Sequence, residues 1–221
     1  MDDERMKVLT QLHLENAWGV IQEGLAYEAF PGAVVGVASS NEVLFLKAGG
    51  FSRIEPARPM HQDDMFDLAS LTKPVATATA LLRLVQLGRL SLDEPVSAYI
   101  KEWRTPGLSH VTIRHLLTHT SGLPAWFPLY TKAANQDEVL AQISKLGLVY
   151  ETGSQVEYSC LGFIVLGILI ERVSGLTLST ACKELVFSPL GMKETTYLPL
   201  QTLKIDPERL VLNEAESLVE K

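Results

Sequence analysis

The segment Phe66-Asp67-Leu68-Ala69-Ser70-Leu71-Thr72-Lys73 sets a serine three residues ahead of a lysine, at the start of a predicted helix. Positions i and i+3 of a helix share a face, so the Lys73 ammonium can approach the Ser70 hydroxyl. A serine hydroxyl is a poor nucleophile at neutral pH until an adjacent base takes its proton. A lysine can be that base where burial or neighbouring positive charge favours its neutral form. The first helical turn adds unpaired N–H groups and the positive end of the helix dipole, both of which favour developing negative charge. The chemistry this spacing permits is nucleophilic attack by Ser70. Taken alone, Ser-x-x-Lys is a common pattern, and a capping serine beside a solvated lysine has the same letters.

Two other pairs of residues have types that do chemistry. His115 and His119 stand at i and i+4, a spacing able to bind zinc. No third ligand is evident and no Glu stands between them in the metalloprotease pattern, so metal binding is not expected. Cys160 and Cys182 are the two cysteines of the chain. They are too few for a disulfide framework and have no metal-ligand spacing with any histidine. A buried thiol also resists ionisation, which argues against Cys160 as an alternative nucleophile.

The elements that must position these residues follow from periodicity. Residues 6–28 read as an amphipathic helix, with Leu14, Trp18, Ile21 and Leu25 at helical spacing, stopped by Pro31 and Gly32. Two β-rich runs follow, Ala33 to Ala38 and Val43 to Lys47, with Ser39, Ser40 and Asn41 as a tight turn between them. Gly49-Gly50 is expected to end the second strand, and residues 51–65 read as a surface connection. From Met65 the pattern is helical. Val75, Ala78, Leu82 and Val85 mark one helix face, with Pro74 in the first turn and Gly88 as C-cap. Thr112 caps a short helix through Leu117, and further helices are expected over Asp137 to Leu146, Leu161 to Val173 and Leu178 to Phe187. Two strands alone do not make an independent sheet.

Composition bounds the function classes. Of the 221 residues, 47% are apolar, which permits a real core, and the net charge of −7 disfavours nucleic-acid partners. The N-terminus MDDERMKVLT has no apolar stretch of the signal-peptide kind. The most apolar run, Leu161 to Ile170, is too short to span a bilayer and reads as a buried helix. Two cysteines outside any disulfide framework suit a reducing cytoplasm, and a cytoplasmic location is expected.

Several motifs in order then carry a resemblance. Leu87 to Val96 reads LGRLSLDEPV, Thr112 to Pro124 reads TIRHLLTHTSGLP, and Glu157-Tyr158-Ser159 follows. Leu166-Gly167, Glu171-Arg172-Val173-Ser174-Gly175 and Pro189-Leu190-Gly191-Met192 come after it, with Pro31-Gly32-Ala33 upstream. From about Pro31 to Thr196 the chain resembles the β-lactamase-related serine hydrolases: class C β-lactamases, penicillin-binding proteins and esterases. The resemblance implies an α+β, β-lactamase/transpeptidase-like fold with a partial antiparallel sheet and a large helical region. It implies Ser70 as acyl-forming nucleophile, Lys73 assisting its deprotonation, and Tyr158 as the partner base relaying a proton to the leaving group. It implies a small-molecule ester, amide or lactam substrate, and no metal or organic cofactor. Trp126, Phe127 and Tyr130 follow the signature in a Pro-containing loop, where they either line an acyl pocket or cover the core.

Two departures shape the expectation. The second motif reads Tyr158-Ser159-Cys160, where the family has Asn or Asp at the third position and uses it to contact substrate. A thiol is only a weak donor and acceptor, so Cys160 at this substrate-binding position is expected to loosen Lys73 and the grip on a substrate amide. The family's third motif, Lys-Thr-Gly or His-x-Gly on a strand, does not occur after Met192. The chain therefore reads as a single incomplete domain over 1–221, with its C-terminal strands missing. Residues 1–64 give the N-terminal helix and hairpin, 65–196 the helical region with the active-site motifs, and 197–221 a polar C-terminal tail. The competing class is a truncated non-catalytic relative, or half of a split protein needing a partner chain. A homo-oligomer or a complementary chain is the partner this predicts, because an uncovered strand edge associates.

Overall fold

In the computed structural model, which describes residues 3–197 and 206–211, helix α1 (Asp3–Ala26) packs beside a hairpin of β1 (Gly32–Ala38) and β2 (Val43–Arg53). The strands are antiparallel, with Val34 opposite Ala48, Gly36 opposite Leu46 and Val37 opposite Phe45. Phe45 is buried, and its ring lies 6.3 Å from that of Trp18 on α1. Leu44 and Leu46 alternate with Phe45 and stay 39% and 43% exposed. Period-2 alternation puts them on the opposite face. Among the described residues, β2 pairs with β1 on one side and with a short third strand, Arg58–Pro59, on the other, so β1 has no strand on its outer edge.

The glycine pair does not end the second strand, as the sequence pattern suggested; β2 continues through Gly49-Gly50 to Arg53. The reason is packing. A Cβ at Gly49 would crowd the Trp18 ring and Leu25, and Gly50 adopts φ +77° against the Pro31 carbonyl. The two glycines thin the strand where α1 lies over it. Residues 51–65 are likewise more than a connection. They hold the end of β2 and the short β3 (Arg58–Pro59), and Arg58 pairs at 2.7 Å with the buried Asp64 carboxylate. Most of the expected polar tail lies outside the described residues. Within it, Pro207–Arg209 forms a 3-10 turn, and the next residue, Leu210, makes a parallel bridge to Met65. These elements, within residues 3–67 and 206–211, form one compact unit.

The second unit, described over residues 68–197, is helical. Its first helical run begins as a 3-10 turn (Ala69–Leu71), continues π-helical over Lys73–Ala78 and becomes α2 (Thr79–Gln86), after which Gly88 sits at φ +68°. Thr112 and His115 form a capping box for α3 (Ile113–Leu117). Helix α4 (Gln136–Leu146) is capped by Asn135, and α5 (Cys160–Ser174) by Ser159 and closed by left-handed Gly175. Helix α6 (Leu178–Cys182) runs on π-helically over Lys183–Phe187.

Helix α5 is apolar nearly all round, and that is why it becomes the centre of this unit. Leu161, Val165, Leu166, Leu169 and Ile170 are buried against Leu81, Leu84, Ile113, Leu116, Leu140 and Ile143. Among the described residues no single helix is long and apolar enough to cross a membrane. Truncating the centre should be costly: Leu166→Ala is expected to destabilise the chain by about 2–5 kcal/mol and lower its melting temperature by roughly 5–15 °C. A melt followed by circular dichroism checks this; an unchanged midpoint would contradict the packing around α5.

Candidate active site

Ser70 occupies the middle of the 3-10 turn, and the chain stays right-handed helical through Thr72 (φ −52°) into the π-helical run. The helix carrying the serine is thus not α-helical at its start. Pro74 supplies no N–H there, and the Thr79 hydroxyl donates to the Pro74 carbonyl at 2.8 Å, a π-type spacing of five residues. Ala69, immediately before Ser70, has φ +44°. Non-glycine residues in that region store of the order of 1–3 kcal/mol and cluster at functional sites. Of the three such residues described, Glu28, Ala69 and His119, two adjoin the site.

Tyr158 arrives from a different segment, which the TIRHLLTHTSGLP stretch holds in place. The Gly153 N–H donates to the Thr120 carbonyl (2.8 Å), Val149 N–H to Gly122 (2.8 Å), and the Thr152 hydroxyl to Ser121 (2.9 Å). Gly122 has φ +91°, and a Cβ there would strike the Tyr150 carbonyl oxygen, so only glycine lets the two segments approach. Past Tyr158, the Ser159 hydroxyl donates to the Pro124 carbonyl (2.7 Å) and accepts from the Gly162 N–H (3.3 Å), fixing the start of α5.

These two segments bring three side chains to one oxygen. The Tyr158 hydroxyl donates to Ser70 Oγ at 2.9 Å, across 88 positions of sequence. The Lys73 ammonium donates to the same Oγ at 3.3 Å. Lys73 Nζ also lies 4.9 Å from the centroid of the Tyr158 ring and 6.0 Å from that of Phe163, within cation–π range. The Tyr158 hydroxyl is held below the ordinary tyrosine value, first by its hydrogen bond with Lys73, then by that with Ser70, against the opposing effect of burial. A phenol so placed can pass into its phenolate at lower pH than a free one and accept a proton from Ser70.

A cleft of about 560 Å³ opens on Ser70. Leu68, Leu71, Leu117 and Phe163 are among the side chains that line it, beside Lys73, His119 and Tyr158. Cys160 is the first residue of α5, half-buried, and is not among the cleft-lining residues; its N–H donates to the Ala125 carbonyl at 2.8 Å. Of the aromatic trio after the signature, Phe127 packs on the core while Trp126 and Tyr130 are exposed, and none of them lines the cleft. The two signature histidines part company. His115 Nδ1 accepts from the Thr112 N–H at 3.1 Å in the capping box, and His119 faces Tyr158 and Phe163, with ring centroids 4.7 and 5.1 Å away. Among the described residues no group of three or more His, Cys, Asp or Glu side chains is arranged to hold a metal ion. The spacing of His119 from His115 gives no sign of its contact with Tyr158, because the two residues meet only through the loop pairing.

The sequence model of the Beta-lactamase family matches residues 19–202. The chain belongs to this family. It is 37% identical over 213 residues to esterase EstB of Burkholderia gladioli, covering 87% of this chain and 52% of that protein. It is 34% identical over 193 residues to N-acetylmuramyl-L-alanine amidase of Bacillus subtilis (strain 168), covering 78% of this chain and 44% of the relative. Among solved structures it is similar to EstCE1, a hydrolase with promiscuous acyltransferase activity, with a TM-score of 0.79 and 27% identity over 92% of this chain and 57% of that one. The chain thus spans about half the length of the curated relatives it matches.

The direction of the Tyr158 shift gives a measurable consequence. One tyrosine should ionise below the ordinary value of about 10 in an ultraviolet titration of the phenolate band. Lys73→Met, which removes the leading cause, should move that transition upward. A transition equally low without the ammonium would assign the shift to another cause.

Proposed function

We propose that this chain carries the nucleophilic half of a serine acyl-transfer site, acting on an ester, amide or lactam through an acyl-enzyme on Ser70. The observation that supports it most directly is the convergence of Tyr158 (2.9 Å) and Lys73 (3.3 Å) on Ser70 Oγ. In the resting site Oγ accepts from both groups. When the phenol ionises, the Ser70 hydroxyl donates across the same line, and Tyr158 takes its proton as Oγ attacks the carbonyl carbon. The hydrogen bond from Lys73 favours the phenolate. Collapse of the tetrahedral adduct returns the proton from Tyr158 to the leaving alcohol or amine. Water then attacks the Ser70 ester with Tyr158 taking its proton, and as this second adduct collapses the carbonyl C–Oγ bond breaks and Tyr158 returns the proton to Ser70 Oγ, releasing the acid and restoring the phenolate. The Ser70 N–H, at the head of the helical run, is the oxyanion donor this half supplies. The relatives' names support the breadth of the substrate class: one is an esterase and another an amidase. Two cysteines in free thiol form, one of them buried, fit a reducing compartment such as the cytoplasm.

A second reading is favoured by the hairpin. Val43, Leu44 and Leu46 are exposed, and among the described residues β1 has an open edge. An apolar face beside an open strand edge is a site of association. On this reading full turnover needs a complementary chain or further sequence to add strands there, and the chain alone acylates slowly or not at all.

A fluorescent fluorophosphonate distinguishes these readings and tests the nucleophile. Labelling should track Ser70: Ser70→Ala is expected to reduce it by about 10³-fold or more, and Cys160→Ala to leave it within a few-fold. Labelling that survives in Ser70→Ala and vanishes with thiol-blocking reagents would assign the chemistry to Cys160. Cys160→Asn, which restores a strong donor and acceptor, should raise the labelling rate. An unchanged or lower rate with the fold intact would mark the cysteine as adapted to this site.

A further inference from the structure

We propose that His119 is the positioning residue of this site: it holds the N–H groups of the residues before and after Tyr158 and backs the phenol with its ring, thereby aiming the hydroxyl at Ser70. The inference rests on the reading of Tyr158 as the base. It starts from a coincidence of contacts that one residue makes with three successive residues. The His119 carbonyl accepts the Glu157 N–H at 2.9 Å. Its Nδ1 accepts the Ser159 N–H at 3.0 Å. Its ring lies against Tyr158 at 4.7 Å between centroids and 38° between planes, with Phe163 behind it at 5.1 Å and 35°. Tyr158 is half-exposed, so the core does not fix it; these contacts do.

The backbone of His119 is built for the clamp. Its φ is +57°, a conformation in which Asn, Asp and His are enriched among non-glycine residues. That turn sends the carbonyl toward Glu157 while the ring reaches Ser159. The clamp also fixes the ring's chemistry. An Nδ1 that accepts a backbone N–H carries no proton, so the neutral ring holds its proton on Nε2. Burial first and the Lys73 charge second push the His119 imidazolium toward its neutral form, the only form in which Nδ1 can accept. Lys73 thus favours the phenolate of Tyr158 and the accepting form of His119 together.

The clamp separates acceptor from ring, and two substitutions separate them as well. In His119→Asn the side-chain carbonyl occupies the place of Nδ1, tolerates positive φ and keeps the acceptor without the ring. His119→Phe keeps a ring and loses the acceptor, leaving the Ser159 N–H unpaired. The first readout is the ¹³Cζ resonance of Tyr158 in tyrosine-labelled protein, which needs no turnover. His119→Asn should keep the Tyr158 midpoint near that of the wild type, and His119→Phe should move it up toward free tyrosine. In fluorophosphonate labelling of Ser70, His119→Phe should lose about 10–100-fold, the scale of a displaced supporting contact, and His119→Asn should stay within about five-fold. Should His119→Phe not fold, ¹⁵N-histidine spectra of the unaltered chain decide: at neutral pH His119 should be the neutral ring with its proton on Nε2. A ring protonated on Nδ1, an unmoved Tyr158 midpoint in a folded His119→Phe, or an Asn variant as impaired as the Phe variant overturns the proposal. The underlying base reading fails separately, if Tyr158→Phe leaves Ser70 labelling intact, while the Tyr158 resonance in the His119 variants still reports on the clamp.

Discussion

Backbone pairing between residues 119–122 and 149–159 is the constraint on which the site depends. A tyrosine 88 positions away from a serine reaches hydrogen-bonding distance only if both segments are fixed to one body. On one side, the helical run after Ser70 is anchored by Ala76, Ala80, Leu81 and Leu84 in the core around α5. On the other, the signature loop leaves α3, whose Ile113 and Leu116 enter the same core, and binds the Tyr158 segment through carbonyls of consecutive residues, Thr120, Ser121 and Gly122. Gly122 is what lets the two backbones touch. A packed core transmits a misfit of one methyl group, so a site spanning two segments inherits its accuracy from the core that holds both.

The electrostatics follow from that placement. Lys73 is the cation at the centre, facing the Tyr158 oxygen, the Tyr158 ring and, further off, the Phe163 ring. One fixed positive charge acts in the same sense on two neighbours: it lowers the Tyr158 hydroxyl and lowers the His119 imidazolium. Both groups are thereby driven toward the forms that accept hydrogen bonds. The left-handed residues Ala69 and His119 sit next to Ser70 and next to the phenol. Conformational strain of this kind persists only where the surroundings over-determine the backbone, and the core and the loop pairing do so here.

The sequence made the helical half of the molecule legible because its signals are local. Thr112, Asn135, Ser159 and Gly175 stop and start helices by hydrogen bonds within a few residues of themselves, and the apolar run of α5 announces its own burial. The Ser70 and Lys73 pairing was visible as a spacing, but the 3-10 and π-helical geometry that presents it was not, because the spacing argument assumed an α-helix. The sheet was less legible for the same reason. Gly49-Gly50 looks like punctuation until Trp18 and Leu25 are known to press on it, and β3 gains its meaning from pairing with β2. Leu210 joins Met65 from across the chain, and no window of sequence contains both. His119 is the clearest case. The groups it binds on either side of Tyr158 are the backbone N–H groups of Glu157 and Ser159, and backbone groups have no letters.

The four residues 157–160 also explain how the arrangement accommodates Cys160. Duties are divided by residue along this short stretch. Glu157 and Ser159 give their N–H groups to His119. The Ser159 hydroxyl caps α5 and ties to Pro124. Cys160 gives its N–H to Ala125. Every one of these anchoring bonds uses either the backbone or the side chain of Ser159, and none needs a polar side chain at 160. The direction of Tyr158 is therefore set independently of what stands at that position. A cysteine is small and tolerates partial burial, so the geometry around Ser70 persists while the chemistry at one corner changes. None of the bonds that aim the phenol therefore rests on the side chain at position 160.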